Sequence, residues 1–244
     1  MIRFKADLHI HTCLSPCGDP KMSPGKIIEK SCKKGLDIIG VCDHNSMENA
    51  GSVMWTGKKM GISVLPGMEI CSKEEVHILG LFENLEQALS MQEYVYANLP
   101  GENQPEMFGE QIIVDKNDEV MGKNSKLLIG ATSLGLLEII EKIHILGGIS
   151  IAAHVNRPAF GIIRQLGFIP NNLGIDGVEV SRHISIIEAR KKISEIKGLP
   201  CVTFSDAHFP DDIGIVWTVF KMAAPSFKEI SLALKGKRGR MIEV

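Results

Sequence analysis

The chain opens with an apolar, strand-like run that ends in two histidines, FKADLHIHT at residues 4–12. The run from Phe4 to Ile10 is short and ends at polar residues, which is typical of a buried parallel strand. Alternate residues of a strand point to the same face, so His9 and His11 can reach a common ion. This stretch therefore predicts a strand that delivers two imidazoles to one place.

Six more strand-like runs follow, and helical patterns separate most of them. The predicted strands are Phe4–Ile10, Asp37–Cys42, Ser63–Ile70, Val76–Phe82, Ile149–Ala153, Gly177–Val180 and Cys201–Phe204. The predicted helices are Gly25–Lys34, Met47–Met60, Leu85–Asn98, Leu134–Leu146, Ile186–Ile196 and Phe227–Leu234. This alternation favours an α/β fold with a parallel sheet and helices outside it. Seven such strands predict a closed or nearly closed β/α barrel, with an open doubly wound sheet as the structural alternative.

One segment, residues 100–132, interrupts the alternation. Two short strand-like runs, Gln111–Asp115 and Glu119–Met121, flank a polar Lys-Asn-Asp turn, which is a hairpin signature. The segment is too short to form a core of its own. We therefore predict a single domain over residues 1–244 with a hairpin-containing insertion at about 100–132.

The composition excludes several classes of protein. The 244 residues are 44% hydrophobic and 23% charged, which argues against disorder and against a disulfide-stapled miniprotein. A net charge of −2 does not indicate a protein that binds duplex nucleic acid, because such proteins are usually basic. The aromatic residues are few, with 9 Phe, 2 Tyr and 2 Trp, and show no surface for stacking bases. There is no secretory signal pattern and no run of about 20 apolar residues. We therefore expect a cytoplasmic protein with no membrane partner.

Cysteine usage fits that compartment. The six cysteines are irregularly spaced, at Cys13, Cys17, Cys32, Cys42, Cys71 and Cys201. We expect small, reduced and mostly buried side chains. Cys13 and Cys17 are close enough to suggest a metal or redox site, but no second pair accompanies them.

Chemistry-bearing side chains recur at the predicted strand ends. Six of the eight histidines lie at such an end or inside a strand, in the motifs LHIHT, GVCDHN, VHILGLF, SIAAH and TFSDAH. Three carboxylates occur in the same way, Asp43 in GVCDHN, Glu69 in LPGMEI and Asp206 in TFSDAH. The candidate site residues are therefore His9, His11, Asp43, His44, Glu69, His77, His154, Asp206 and His208. The carboxyl ends of barrel strands meet at one mouth, where active sites are built. We therefore expect these side chains to share one cavity.

Imidazoles and carboxylates together are ligands for Zn²⁺, Mn²⁺ or Fe²⁺. Eight or nine such groups exceed the needs of one tetrahedral ion, so the sequence predicts two or three divalent ions. Glu69 is the natural bridge, because each carboxylate oxygen can bind a different metal. Neighbouring ions activate water and clamp the attacking and leaving oxygens, which predicts hydrolysis, best of a phosphoester. Isolated, hydrogen-bonded histidines would explain one of these residues but not the ordered series.

Three basic side chains are candidates for binding a phosphate. Arg157 lies three residues beyond His154, and Arg182 and His183 follow the sixth predicted strand. Arginine matches the geometry of phosphate with two parallel hydrogen bonds. The competing interpretation is that these are solvated loop side chains.

The ordered motifs resemble the PHP (polymerase and histidinol phosphatase) superfamily of metal-dependent phosphoesterases. The matching segments span nearly the whole chain: DLHIHTCLSPCGD, GVCDHNS, PGMEI, VHILGLF, AAHVNRP and TFSDAH. The resemblance implies a distorted seven-stranded, TIM-like barrel with three metals at the carboxyl ends of the strands. It implies a first site of His9, His11, Glu69 and Asp206, a second of Glu69, His77 and His154, and a third of Asp19, His44 and His208.

The roles of two carboxylates, Asp19 and Asp43, each have more than one interpretation. Asp19 lies farther from the histidine pair than the ligand of many relatives, because Pro16, Cys17 and Gly18 intervene. Its flanking Gly18 and Pro20 also fit an ordinary turn. Asp43 would either orient a metal ligand or carry a proton to the leaving group.

The predicted activity is hydrolysis of a phosphomonoester, from a small metabolite or a nucleotide, by a metal-bound hydroxide at a site of two or three ions. One alternative is an exonuclease acting on oligonucleotide ends, since related PHP proteins include such enzymes. The other is a catalytically silent, metal-bound scaffold or regulatory protein that docks through the insertion. The sequence identifies no protein partner.

Overall fold

The computed structural model describes residues 1–243, which form a mixed α/β fold. The strands are β1 (Ile2–Ile10), β2 (Ile38–His44), β3 (Ser63–Cys71), β4 (His77–Leu81), β5 (Ile112–Val114), β6 (Val120–Lys123), β7 (Ile149–Ala152), β8 (Gly177–Glu179), β9 (Cys201–Val202), β10 (Thr218–Met222) and β11 (Met241–Glu243). The helices are α1 (Pro24–Lys34), α2 (Ala50–Met60), α3 (Leu85–Tyr96), α4 (Pro105–Phe108), α5 (Leu136–Ile145), α6 (Ile162–Leu166), α7 (Ile186–Lys192) and α8 (Phe227–Leu234).

The main sheet is a nearly closed barrel. Over residues 1–243 it has nine strands in the order β11-β10-β1-β2-β3-β4-β7-β8-β9, and β5 pairs separately with β6. A parallel bridge between Ile10 and Ala207 brings the chain just after β9 back to β1. The His11 backbone N–H donates to the Ala207 carbonyl at 3.0 Å there.

The predicted count of seven strands is not what the sheet contains. The seven predicted strands correspond to β1, β2, β3, β4, β7, β8 and β9, but β10 and β11 add an antiparallel edge beside β1. The sheet is also mixed, because β4 runs antiparallel to both β3 and β7. Only residues 72–76 join β3 to β4. A parallel connection needs a dozen or more residues, so this short turn forces a hairpin.

Local signals explain the helix boundaries. Ser23 caps α1 by accepting a hydrogen bond from the Lys26 backbone N–H, and Pro24 occupies the first turn. Gly35 ends the helix with φ 66°, a left-handed conformation that glycine adopts without strain. Adjacent strand residues serve opposite faces, as in β2: Ile38 packs inside the barrel and Ile39 packs under the helices.

The insertion packs on the loop that follows β1. The Ile112 backbone N–H donates to the Cys13 carbonyl at 3.0 Å, and the Asn49 side chain bonds to both Ile112 and Val114. The Asn45 amide donates to the Leu128 carbonyl at 2.8 Å. The insertion thereby holds this loop against the barrel, while the single-domain boundary stays a prediction. None of the helices within residues 1–243 combines the length and apolarity that a membrane span requires.

Candidate metal centre

Six imidazoles surround Glu69 and Asp206 at one mouth of the barrel. The side chains brought together are His9, His11, His44, Glu69, His77, His154, Asp206 and His208. His9, His11 and His154 are at most 1% exposed, whereas Asp206 and His208 are partly exposed. The structure therefore places these eight predicted residues in a single cluster.

Glu69 occupies the centre of this cluster. Its Oε1 lies 2.8 Å from His77 Nδ1 and 3.0 Å from His154 Nε2. Its Oε2 lies 3.0 Å from His44 Nδ1 and 3.4 Å from His11 Nε2. Each oxygen thus faces a different set of imidazoles, which is the arrangement that a bridging carboxylate requires.

Three groups of potential ligand atoms are compact enough for an ion, each with all its atoms within 4.8 Å of one another. These groups are His9, His11 and Asp206; His44, Glu69 and His77; and His11, His44 and His208. His9 Nε2 and His11 Nε2 are only 3.1 Å apart, as the pleat of β1 predicts for residues two positions apart.

The reversed direction of β4 explains how His77 joins the others. His77 is the first residue of β4 and pairs with Cys71, the last residue of β3. The amino end of β4 therefore lies at the mouth where its neighbours have their carboxyl ends. Two other members sit in left-handed backbone, His154 with φ 29° and Asp206 with φ 50°. Such strained conformations concentrate at functional sites.

Burial and neighbouring charges shift the pKa values of the cluster residues in different directions. Burial lowers the pKa of His77 to about 4, although Glu69 opposes this. Burial also lowers the pKa of His9, but Glu179, Asp206 and Glu69 outweigh it and raise the pKa well above its usual value. Burial would raise the pKa of Glu69, yet the neighbouring His77, His9 and His44 hold it well below the usual range.

The donor set fits divalent cations. His154 Nδ1 is buried and has no hydrogen-bond partner among the described residues. A buried ring nitrogen without a partner carries a desolvation cost, and a divalent cation bound to the cluster would use such lone pairs. Nitrogen and oxygen donors in this mixture suit zinc, manganese or iron.

Two partners of the cluster were missed by the sequence analysis. Glu179 Oε2 lies 2.9 Å from His9 Nδ1, and Glu179 is fully buried. Ser15 Oγ lies 2.9 Å from His11 Nδ1. Hydrogen bonds of this kind fix the ring orientation of a metal-binding histidine. The available signal for Glu179 was a carboxylate inside the apolar run GVEV.

Asp43 is fully buried and faces the loop after β1. Its carboxylate accepts hydrogen bonds from the Thr12 N–H at 2.7 Å, the Thr12 hydroxyl at 2.8 Å and the Ser15 hydroxyl at 2.6 Å. Burial raises its pKa, which these hydrogen bonds oppose. Because Ser15 in turn contacts His11, this position favours the orienting role of Asp43 over proton transfer.

Asp19 does not belong to any of the three compact groups. Its Oδ1 accepts a hydrogen bond from the Lys21 backbone N–H at 2.7 Å, as in the turn that its neighbours predict. Cys17, from the same loop, lines the same pocket as His44 and His208. Partial desolvation of this side chain raises the pKa of the thiol, but His44 and His208 outweigh it and lower the pKa to about 6. Cys17 is exposed, unlike four of the other five cysteines.

A pocket of about 420 Å³ opens over the cluster, and the three predicted phosphate-binding residues line it. Arg157 Nη1 lies 2.5 Å from Asp206 Oδ2, and Arg182 Nη1 lies 3.0 Å from Asp212 Oδ2. His183 is exposed. The pocket wall also includes the apolar side chains Ile129, Phe160 and Phe209.

With this site in place, the chain belongs to the PHP family: residues 7–161 match the PHP domain, and residues 189–238 match the PHP-associated region. The resemblance inferred from the motifs is thereby confirmed. The chain is similar to the uncharacterized protein MJ1587 of Methanocaldococcus jannaschii, with 29% identity over 72% of this chain and 81% of that protein.

Two further similarities are to nucleases. The chain is also similar to a 5′-3′ exoribonuclease of Haemophilus influenzae, with 30% identity over 80 residues. The aligned segment covers 32% of this chain and 28% of that enzyme. The fold resembles the crystal structure of the lesion-specific endonuclease PfuEndoQ from Pyrococcus furiosus, with a TM-score of 0.77 and 22% identity over 99% of this chain. This chain spans 58% of the length of that endonuclease.

Proposed function

We propose that this chain is a metal-dependent hydrolase of phosphoester bonds. The observation that carries the proposal is the convergence of six imidazoles on Glu69 and Asp206 at the barrel mouth. Divalent ions, when bound, lower the pKa of water and neutralise charge on phosphate oxygens. A catalytically silent, metal-bound scaffold is the alternative, and turnover separates it from the hydrolase because both would bind metal.

The proposed ligand sets combine the compact groups with the sets that the family resemblance implies. His9, His11 and Asp206 would hold one ion with Glu69. Glu69, His77 and His154 would hold a second, since both imidazoles face Glu69 Oε1. His44 and His208 would hold a third. Glu179 and Ser15 keep the rings of His9 and His11 oriented, so the nitrogen donors stay aimed into the cluster.

The arginines of the pocket would bind the phosphate. Arg157 pairs with Asp206, and Arg182 lines the same pocket. Both guanidinium groups would therefore be available to an anion placed over the cluster. Fixed cations of this kind stabilise the charge that develops on equatorial phosphate oxygens. His183 adds a further donor at the exposed edge.

The pocket favours a phosphomonoester of about nucleotide size. Its volume of about 420 Å³ lies in the range of sites for small molecules. Phe160 and Phe209 offer apolar surface to the part of the substrate that is not phosphate. A nucleic-acid phosphodiester is the second candidate, and the similarity to an exoribonuclease and to an endonuclease favours it.

Product release from a panel of substrates tests both candidates. The panel contains p-nitrophenyl phosphate, bis(p-nitrophenyl) phosphate, histidinol phosphate, nucleoside monophosphates, a 5′-phosphorylated oligonucleotide and a duplex with an abasic site, each with Mn²⁺ or Zn²⁺. We expect turnover that Asp206→Asn abolishes. Asp211→Asn is the matched control, because Asp211 is exposed and pairs with Lys30 away from the pocket.

The pattern of substrates decides between the candidates. Preference for the monoesters supports the first, and cleavage of the diester and the nucleic acids supports the second. Absence of turnover on the whole panel, with metal bound, would overturn the hydrolase in favour of the scaffold.

A further inference from the structure

The loop between β7 and α6, residues 154–161, carries one member of the cluster and contacts a second. It is tightly wound: the Arg157 backbone N–H donates to the His154 carbonyl at 2.8 Å. A Cβ at Gly161 would lie 3.0 Å from the Arg157 carbonyl oxygen and 3.1 Å from that of His154, so the loop leaves little room for a side chain there. These contacts fix the position of Phe160, the residue before Gly161.

The backbone of Phe160 completes the hydrogen bonding of His77. The pairing of β4 with β7 ends at Ile78 and Ala152, so His77 lies just beyond it. The His77 N–H donates to the Phe160 carbonyl at 3.0 Å, and the His77 carbonyl accepts a hydrogen bond from the Ala153 N–H at 3.1 Å. The chain after β7 therefore takes the place of a neighbouring strand at the residue that enters the cluster.

The ring of Phe160 lies flat against the His77 imidazole. The two ring centroids are 4.4 Å apart, and the ring planes differ by 14°. His44 and His154 also approach this imidazole, both at 5.4 Å, but their planes are inclined to it by 61° and 62°. Among the described residues, Phe160 is therefore the aromatic side chain that covers a face of His77. Parallel contact at this distance restricts the tilt of the imidazole.

Phe160 makes these contacts from a strained backbone. Its φ of 58° lies in the left-handed region, which a bulky side chain adopts at a cost and which glycine or asparagine occupies more readily. Strain of this kind persists only where the surrounding contacts hold it, and it concentrates at functional sites. The hydrogen bond and the ring contact with His77 are contacts that hold it here.

We propose that Phe160 is a positioning residue that sets the ring plane of His77, and thereby the affinity of the metal site formed by Glu69, His77 and His154. This inference rests on the metal centre of the proposed function. An imidazole held at one tilt keeps its donor nitrogen directed at the ion. A ring that is free to turn must be ordered when the ion binds, and this ordering lowers the affinity. Phe160 supplies no ligand atom and acts through His77.

Titration of the full chain with Zn²⁺ against a chelating dye measures the effect. We expect Phe160→Leu, which keeps an apolar side chain but loses the ring, to weaken the binding of one ion per chain by about 10-fold. Phe160→Tyr keeps the ring and should bind as the wild type does. Phe168→Leu is the matched control, because Phe168 is exposed and lies outside the pocket. Equal affinities in Phe160→Leu and Phe168→Leu would overturn the inference.

Phe160→Gly separates the effect of the ring from that of the backbone. Glycine adopts a φ of 58° without strain, so this variant should keep the loop and the carbonyl that binds the His77 N–H. Urea unfolding of the metal-free chain checks that the variant is folded. We expect the same loss of Zn²⁺ affinity as in Phe160→Leu. Wild-type affinity in Phe160→Gly would assign the positioning to the backbone and overturn the role of the ring.

A double-mutant cycle tests whether Phe160 acts through His77. His77→Ala removes the imidazole, so the addition of Phe160→Leu should change neither the number of bound Zn²⁺ ions nor their affinity any further. A second loss of similar size in the double variant would show that the ring acts on another ligand, which overturns the inference.

The failure of this inference is distinguishable from the failure of the proposed function, because every readout is metal binding. Unchanged Zn²⁺ affinity in Phe160→Leu overturns the positioning role and leaves the hydrolase in place. The expected losses of affinity in a chain that hydrolyses no substrate support the positioning role and overturn the hydrolase. A wild-type chain that binds no Zn²⁺ overturns both.

Discussion

His9 and Glu179 are 170 positions apart in the chain, and their side chains meet inside the barrel with Nδ1 and Oε2 separated by 2.9 Å. Both residues are completely buried. The contact fixes the His9 ring so that Nε2 faces His11 at 3.1 Å. A buried carboxylate behind an imidazole also makes the ring a stronger ligand.

Replacing Glu179 should weaken metal binding without removing a ligand. We expect Glu179→Gln to lower Zn²⁺ affinity by about 10- to 100-fold, because the neutral amide no longer orients and polarises His9. Competition with a chelating dye measures the change. Glu188→Gln on α7 is the control, since Glu188 is exposed. Equal affinities in the two variants would contradict the positioning role.

His154→Ala should remove about one ion per chain and leave the barrel folded. His154 Nε2 faces Glu69 Oε1 at 3.0 Å, and its Nδ1 has no partner among the described residues, so its contribution is a donor to the cluster. Atomic emission of dialysed protein gives the metal content, and circular dichroism checks the fold. His144→Ala is the matched control, because His144 lies on α5 and pairs with Asp176 outside the cluster. Unchanged metal content in His154→Ala would refute the ligand assignment.

Asp43→Asn distinguishes an orienting carboxylate from a proton carrier. The Asp43 carboxylate accepts hydrogen bonds from Thr12 and Ser15 inside the protein, and an amide cannot accept all of them. We expect a loss of about 1–3 kcal/mol in the free energy of unfolding. The pH profile of turnover should keep its shape. Disappearance of one limb of that profile would identify Asp43 as the proton carrier.

Asp7 should make the metal-free chain less stable as pH rises. Burial raises its pKa from 3.8 to about 6, although Ser205 and Gly214 oppose this by donating hydrogen bonds at 3.0 Å. Between these two values the folded chain binds more protons than the unfolded chain, so stability falls with increasing pH. The loss relative to Asp7→Asn should reach about 3 kcal/mol above pH 6. Urea unfolding of both chains across this range measures it; a gain of stability with pH would contradict the sign.

Much of the fold was predictable because local patterns carry it. All seven predicted strands exist, and Phe227–Leu234 coincides with α8. Other helices differ at their ends: α2 begins at Ala50 rather than Met47. The edge strands β10 and β11 were missed, because their identity as strands depends on pairing with β1 and with each other.

The sequence by itself determined which side chains gather at the mouth, since strand ends and ligand types are local properties. Tertiary structure alone decided their arrangement. The direction of β4 brings His77 to the mouth, and the near closure of the barrel brings Glu179 of β8 to His9 of β1. The fold of the loop after β1 turns the Asp19 carboxylate to the Lys21 backbone N–H and leaves Asp19 outside the compact ligand groups. These outcomes depend on contacts between residues far apart in the chain, which spacing along the sequence does not encode.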